Sequence, residues 1–94
     1  REDAKKYFEN DKIKSEVTAF RNSSLQGGYF IKAASALGLS TGPMSGFSNE
    51  DVDKEFFSET SIKSNFLCRL GYAAEDGFFE RAHRYNFDEV AEIL

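Results

Sequence analysis

Three stretches hold the residues whose types and spacing could do chemistry. "TGPMSGF", Thr41 to Phe47, gathers Gly42, Gly46, the only proline and the only methionine into a nearly uncharged run. Glycines there let backbone N–H groups approach a flat heterocycle and donate to its nitrogen and carbonyl acceptors with no side chain intervening. The same residues also make an ordinary chain reversal, with Pro43 fixing φ and the glycines relieving steric conflict. "ERAHRYN" sets Arg81 and Arg84 around His83. Two guanidinium forks can hold a phosphate, and the plain alternative is solvation of a charged stretch. Cys68 lies in an apolar run, where a buried thiol behaves as a small hydrophobe and is expected to be structural.

Other chemistries lack their parts. The single His83 has no nearby Ser or Cys in sequence to activate, and one His with one Cys is not a metal-ligand set. The sequence thus assigns no catalytic side chain and no metal ligand. Twelve basic against sixteen acidic residues give a net charge of −4, which opposes attraction to phosphate backbones, so nucleic acid is not an expected partner. A lone cysteine makes no internal disulfide. No apolar run approaches the ~20 residues that span a bilayer, and "REDAKKYFEN" lacks a signal peptide's apolar core. A cytoplasmic protein without a membrane partner is the expectation.

The elements that must position these stretches follow from periodicity. Ninety-four residues with ten Phe and four Tyr suit one small domain with a thin core, helped by a partner surface. Ala4, Tyr7 and Phe8 share a helical face and predict a short opening helix. "NDKIKSEVTAF" reads as a loop or a weak helical turn. "SSLQ" has the form of a capping box that starts a helix at Ser23, and Leu25, Tyr29, Phe30, Ala33, Ala34 and Leu37 carry it to about Leu37, with Gly38 as the left-handed terminator. Gly27 and Gly28 inside it cost roughly 1 kcal/mol each against alanine, a cost that close approach of another backbone would offset. Ser48 caps a second helix of about two turns. "SNFLCRLGYAA" alternates as a strand largely buried on at least one face. "NFDEVAEIL" predicts a closing helix with Phe87, Val90, Ala91 and Leu94 on one side.

Taken together, "FRNSSLQGGYFIKAASALGLSTGPMSGFSNEDVDKEFF", "IKSNFLCRLGYA" and "FFERAHRYNFDEVAEIL" resemble the C-terminal half of the FMN-dependent nitroreductase family. The likeness runs from about Thr18 to Leu94, and "NSSLQG", "GPMSGF" and "KSNF" make it specific. Within the family it points to the subgroup of malonic semialdehyde reductases and NADH dehydrogenase–NAD(P)H nitroreductases.

The resemblance implies an α+β flavoprotein, helix-rich with a central sheet strand, whose subunits form an intertwined homodimer with FMN at the interface. It implies an enzyme in which hydride passes from NADH or NADPH through flavin N5 to a small aldehyde such as malonic semialdehyde, or to a nitro or quinone acceptor. Pro43 and Met44 would line the isoalloxazine ring, Ser45 and Gly46 would donate through their backbones near N5 and O4, and Arg84, with Arg81 second, would contact the phosphate. The helix from Ser23 would pack near the dimer axis.

Residues 1–94 would then be the C-terminal portion of a single nitroreductase-like domain. The family's N-terminal half, with an arginine-serine-arginine motif that grips ribityl and phosphate, is not among them. The missing start methionine agrees with a chain that begins partway through a longer polypeptide, and the fragment alone is expected to be inactive. The competing expectation is a non-enzymatic, α-rich interaction module, or an inactive fragment, without flavin.

Overall fold

A computed structural model describes residues 2–94. In chain order its elements are α1 (Glu2–Glu9), α2 (Lys12–Ala36), β1 (Ser40–Met44), α3 (Asn49–Phe56), β2 (Leu67–Gly71) and α4 (Phe87–Val90). Helices and a two-stranded antiparallel sheet make the α+β class expected from the sequence. No helix among the described residues is long and apolar enough to cross a membrane.

The helix expected from Ser23 instead begins eleven residues earlier, at Lys12. Asp11 caps it, its carboxylate accepting from the Lys14 N–H at 2.9 Å. Residues 12–20 are therefore helical and not a loop, and the "SSLQ" capping signal is overridden. Ser24 lies mid-helix and its hydroxyl donates to the Phe20 carbonyl at 3.1 Å, the back-bonded arrangement that lets a serine sit inside a helix. A spacing of alternating four and three through Ile13, Val17, Phe20, Ser24, Gly27, Ile31 and Ala34 marks one continuous face, and it was the sequence signal for the longer helix. The C-terminus is as expected. Gly38 adopts φ +80°, its N–H donates to Ser35, and the Leu39 N–H donates to Ala34, which together make a Schellman cap.

"TGPMSGF" is not a simple turn: its first four residues belong to β1, and only Ser45 to Phe47 leave the strand. β1 pairs with β2 from Ser40 opposite Gly71 to Met44 opposite Leu67. Within the ladder Gly42 lies beneath Arg69, where a Cβ would stand 3.2 Å from the guanidine Nε.

Between the strands, Ser48 caps α3 by accepting from the Asp51 N–H at 3.2 Å, as its sequence predicts. The expected closing helix shrinks to the single turn of α4, because Ala91 is already extended and Leu94 lies outside it. Its start is fixed by Glu89, which reaches back to accept from the Asn86 N–H at 2.8 Å.

The predicted strand is present, but its expected burial is not: Leu67, Arg69 and Leu70 are exposed and Cys68 is half-buried. Only Ala34, 5% exposed, is truly buried among the described residues. The radius of gyration is 17.9 Å, against about 12 Å for a compact domain of this length. Large apolar side chains such as Tyr29, Leu70 and Tyr72 are exposed accordingly.

Candidate functional site

The six residues singled out for cofactor binding fall on two segments. Pro43 and Met44 end β1, and Ser45 and Gly46 form the exit from it toward the α3 cap. Phe47 donates its N–H to the Ser45 carbonyl at 2.9 Å, which folds the exit into a tight bend. The N–H groups of Ser45 and Gly46 make no hydrogen bond among the described residues. A Cβ built on Gly46 would meet nothing within 4 Å, and its φ lies outside the left-handed region. Neither sterics within this chain nor backbone conformation requires glycine there. This leaves an open strand end that presents two free backbone donors.

Arg81 and Arg84 lie in the irregular segment before α4, both exposed. The Arg84 guanidinium donates to the carbonyls of Ala82 at 2.9 Å and His83 at 3.3 Å. No carboxylate pairs with either arginine among the described residues, so both charges remain available to an anion. His83 stacks edge-on against Tyr85 with ring centroids 5.6 Å apart and joins no catalytic arrangement.

Two hollows beside the sheet contain none of these six residues. One, of about 300 Å³, opens beside the ladder between Gly42, Arg69, Tyr72 and Phe78. The other, of about 610 Å³, lies between α2 and the segment that leads into β2, lined by Phe30, Ala33, Phe66 and Cys68. Cys68 thus faces a groove and is not sealed inside a core. The strand end and the arginine segment are not brought into one enclosed pocket by these residues alone.

The polar joint that holds the frame went unread in the sequence, although it lies within "KSNF". Asn65 donates to the hydroxyls of Ser23 at 3.2 Å and Ser24 at 3.0 Å, tying the start of β2 to the middle of α2. Asn49, at the start of α3, donates to the Ser64 hydroxyl at 2.8 Å and its carbonyl at 3.0 Å. Asp53 accepts from the Ser64 N–H at 2.7 Å. Asn49 and Asp53 so tie Ser64 to α3, and Asn65 ties the same segment to α2. Side-chain amides give no periodicity, which is why only their residue types were visible beforehand.

The Ser64 N–H holds the Asp53 carboxyl below its ordinary pKa, with the Ser64 hydrogen bond to the side chain and Lys63 adding smaller contributions. A depressed carboxylate contributes stability above its unfolded pKa of about 3.9 and loses it as pH falls through the lower folded value. Exchange protection at the Ser64 amide is therefore expected to hold near neutrality and to fall below about pH 4. Asp53→Asn, which keeps an acceptor but no charge, is expected to remove that acid dependence. Residue-resolved amide exchange between pH 3 and 7 checks it, and a wild-type profile that is flat with pH would contradict the assignment.

A strand that ends in a glycine-bearing bend, a long helix and an exposed arginine segment make up an α+β frame. No family model matches the chain. Over 91 residues, 97% of its length, it is 59% identical to the "Putative NADH dehydrogenase/NAD(P)H nitroreductase" of Caulobacter sp. strain K31. It is 55% identical to the protein so named in Xanthomonas oryzae pv. oryzae strain PXO99A, and 54% identical to one from Burkholderia lata, again over 97% of its length. It covers 46% of the first two and 47% of the third, so the chain spans about half the length of the curated relatives it matches. The chain is a homologue of these NAD(P)H nitroreductase proteins throughout its matched length, as its motifs indicated.

Proposed function

We propose that this chain supplies the ring-edge and phosphate-contacting half of an FMN-dependent NAD(P)H oxidoreductase that works as a homodimer. The observation that carries this reading is identity of more than half the residues, across nearly the whole chain, with proteins named as NAD(P)H nitroreductases. The acceptor is a small aldehyde of the malonic semialdehyde type, or a nitro or quinone compound.

The residues present fit such a cofactor. Gly46 leaves open space where a side chain would stand, and the Ser45 and Gly46 N–H groups are free to donate to ring acceptors. Pro43 and Met44 place apolar atoms beside them at the end of β1. Arg84 and Arg81 carry unpaired guanidinium groups suited to a phosphate monoester. FMN, when bound, supplies the two-electron relay between nicotinamide and acceptor. This chain's residues hold and orient the ring edge and neutralise phosphate charge. They contribute no acid, base or nucleophile of their own.

Native mass spectrometry with visible absorbance tests the reading on the assembled protein. A yellow dimer that carries FMN is expected. Gly46→Val is expected to weaken FMN retention by about 10-fold or more, because a branched side chain would stand between the bend and the ring. A colourless protein that FMN cannot reconstitute would replace this reading with that of an α-rich interaction module.

A further inference from the structure

Two cross-strand pairs at the start of β1 each contain one glycine: Ser40 stands opposite Gly71, and Gly42 opposite Arg69. Side chains alternate along a strand, so these four residues share one face of the sheet, and Cys68, which lines the groove beside α2, belongs to the other. Ser40 and Arg69 therefore occupy opposite corners of a patch whose other two corners are bare backbone. The Arg69 guanidinium lies over Gly42, with Nε 3.2 Å and one Nη 3.4 Å from where a Gly42 Cβ would be. At the remaining corner a Cβ on Gly71 would meet nothing within 4 Å. The hollow of about 300 Å³ beside the ladder opens there, and Gly77 and Phe78, from the loop that follows β2, line it as well.

Arg69 is the one charged residue that lines this hollow. Its guanidinium makes neither a hydrogen bond nor an ion pair among the described residues, and the Ser40 hydroxyl makes no hydrogen bond among them. A guanidinium presents a planar fork that a carboxylate or a phosphate meets with two parallel hydrogen bonds. Charge decides between the two. One guanidinium and one neutral hydroxyl balance a single negative charge, and a phosphate dianion would keep one uncompensated. The loop beside the hollow adds to the discrimination: its turn, closed by the Gly77 N–H on the Ala74 carbonyl at 2.9 Å, carries Glu75 and Asp76, which oppose further negative charge nearby.

We infer that Arg69, with Ser40 beside it, forms a carboxylate-binding site on the face of the sheet away from α2, with the ligand seated over Gly71. A carboxylate reaches it from one of two sources, a small free acid or an Asp or Glu side chain from the length of the subunit that the relatives carry outside the matched residues. The inference uses neither Arg84 nor flavin, so it stands or falls separately from the proposed activity.

The test follows the Arg69 Nε–H resonance of the assembled protein, these 94 residues together with the remaining length of the subunit, during titration with sodium acetate, sodium phosphate and, as control, sodium chloride at equal ionic strength. Arg69→Gln assigns the resonance by its loss. A saturable shift with acetate that chloride does not produce identifies a free acid as the ligand. Gly71→Val, which fills the hollow, keeps Arg69 and needs no left-handed backbone, is then expected to weaken acetate binding at least about 10-fold. An Nε–H that ignores acetate, exchanges at least about 100-fold more slowly than free arginine and shows hydrogen-bond coupling to an Asp or Glu carboxylate carbon identifies a side chain of the same subunit as the ligand. Three results would overturn the inference: free-arginine exchange with no response to acetate, coupling to backbone carbonyl carbons alone, or phosphate bound at least about 10-fold more tightly than acetate. Should Gly71→Val not fold, the titrations and couplings of the unaltered protein still decide.

Discussion

Gly27→Ala is expected to destabilise the assembled protein by about 2 kcal/mol, although alanine is the better helix former by roughly 1 kcal/mol. The reason is the ring of Phe66. A Cβ on Gly27 would overlap the ring's far edge, so the ring must leave its place in the groove between α2 and β2. The neighbouring position gives the opposite sign: a Cβ on Gly28 would meet nothing within 4 Å in this chain, and Gly28→Ala is expected to raise stability by up to about 1 kcal/mol. Pairing Gly27→Ala with Phe66→Val is expected to recover part of the loss, because the smaller side chain vacates the overlap. Thermal unfolding of the three variants and the wild type checks the set. Equal stability of Gly27→Ala and wild type would show that the ring does not depend on the glycine.

Arg84→Ala is expected to weaken FMN binding about 10- to 100-fold, the loss of a charge-assisted contact worth about 1.5–3 kcal/mol. Its guanidinium now donates only to neighbouring carbonyls at the chain surface, contacts that a phosphate would outcompete in charge. Arg84→Lys keeps the charge and loses the fork, so an intermediate loss is expected. Arg81→Ala is expected to cost less, since the resemblance makes Arg84 the first candidate for the phosphate contact and Arg81 the second. Flavin titration of the apoprotein at two salt concentrations measures these effects, and an affinity unchanged by Arg84→Ala would remove the arginine from the phosphate site.

The legible parts of the sequence were those where a few adjacent residues decide the outcome. Ser48 and Gly38 each satisfy or terminate local backbone hydrogen bonds, and both act where they were read. "SSLQ" shows the limit of such reading. Its capping geometry is local, but Ile13, Val17 and Phe20 extend the apolar face N-terminally and Asp11 supplies an earlier cap, so continued helix wins over a new start. The same limit applies to Thr41–Met44, whose glycine and proline content signals a turn. Pairing with β2 makes them a strand, a fact of register that no property of residues 41–44 contains.

By itself the sequence determined that Ser48 and Gly38 cap their helices, which residues alternate, and the kinship with proteins named as NAD(P)H nitroreductases. These depend on interactions within a few residues or on motifs preserved in order along the chain. Tertiary structure alone decided that Gly27 is a seat for Phe66, that Asn49, Asp53 and Asn65 clamp the approach to β2, and that Thr41–Met44 pair with β2. Each joins residues more than ten positions apart, and the closure of such loops is set by pairing and packing geometry, which local propensity does not encode.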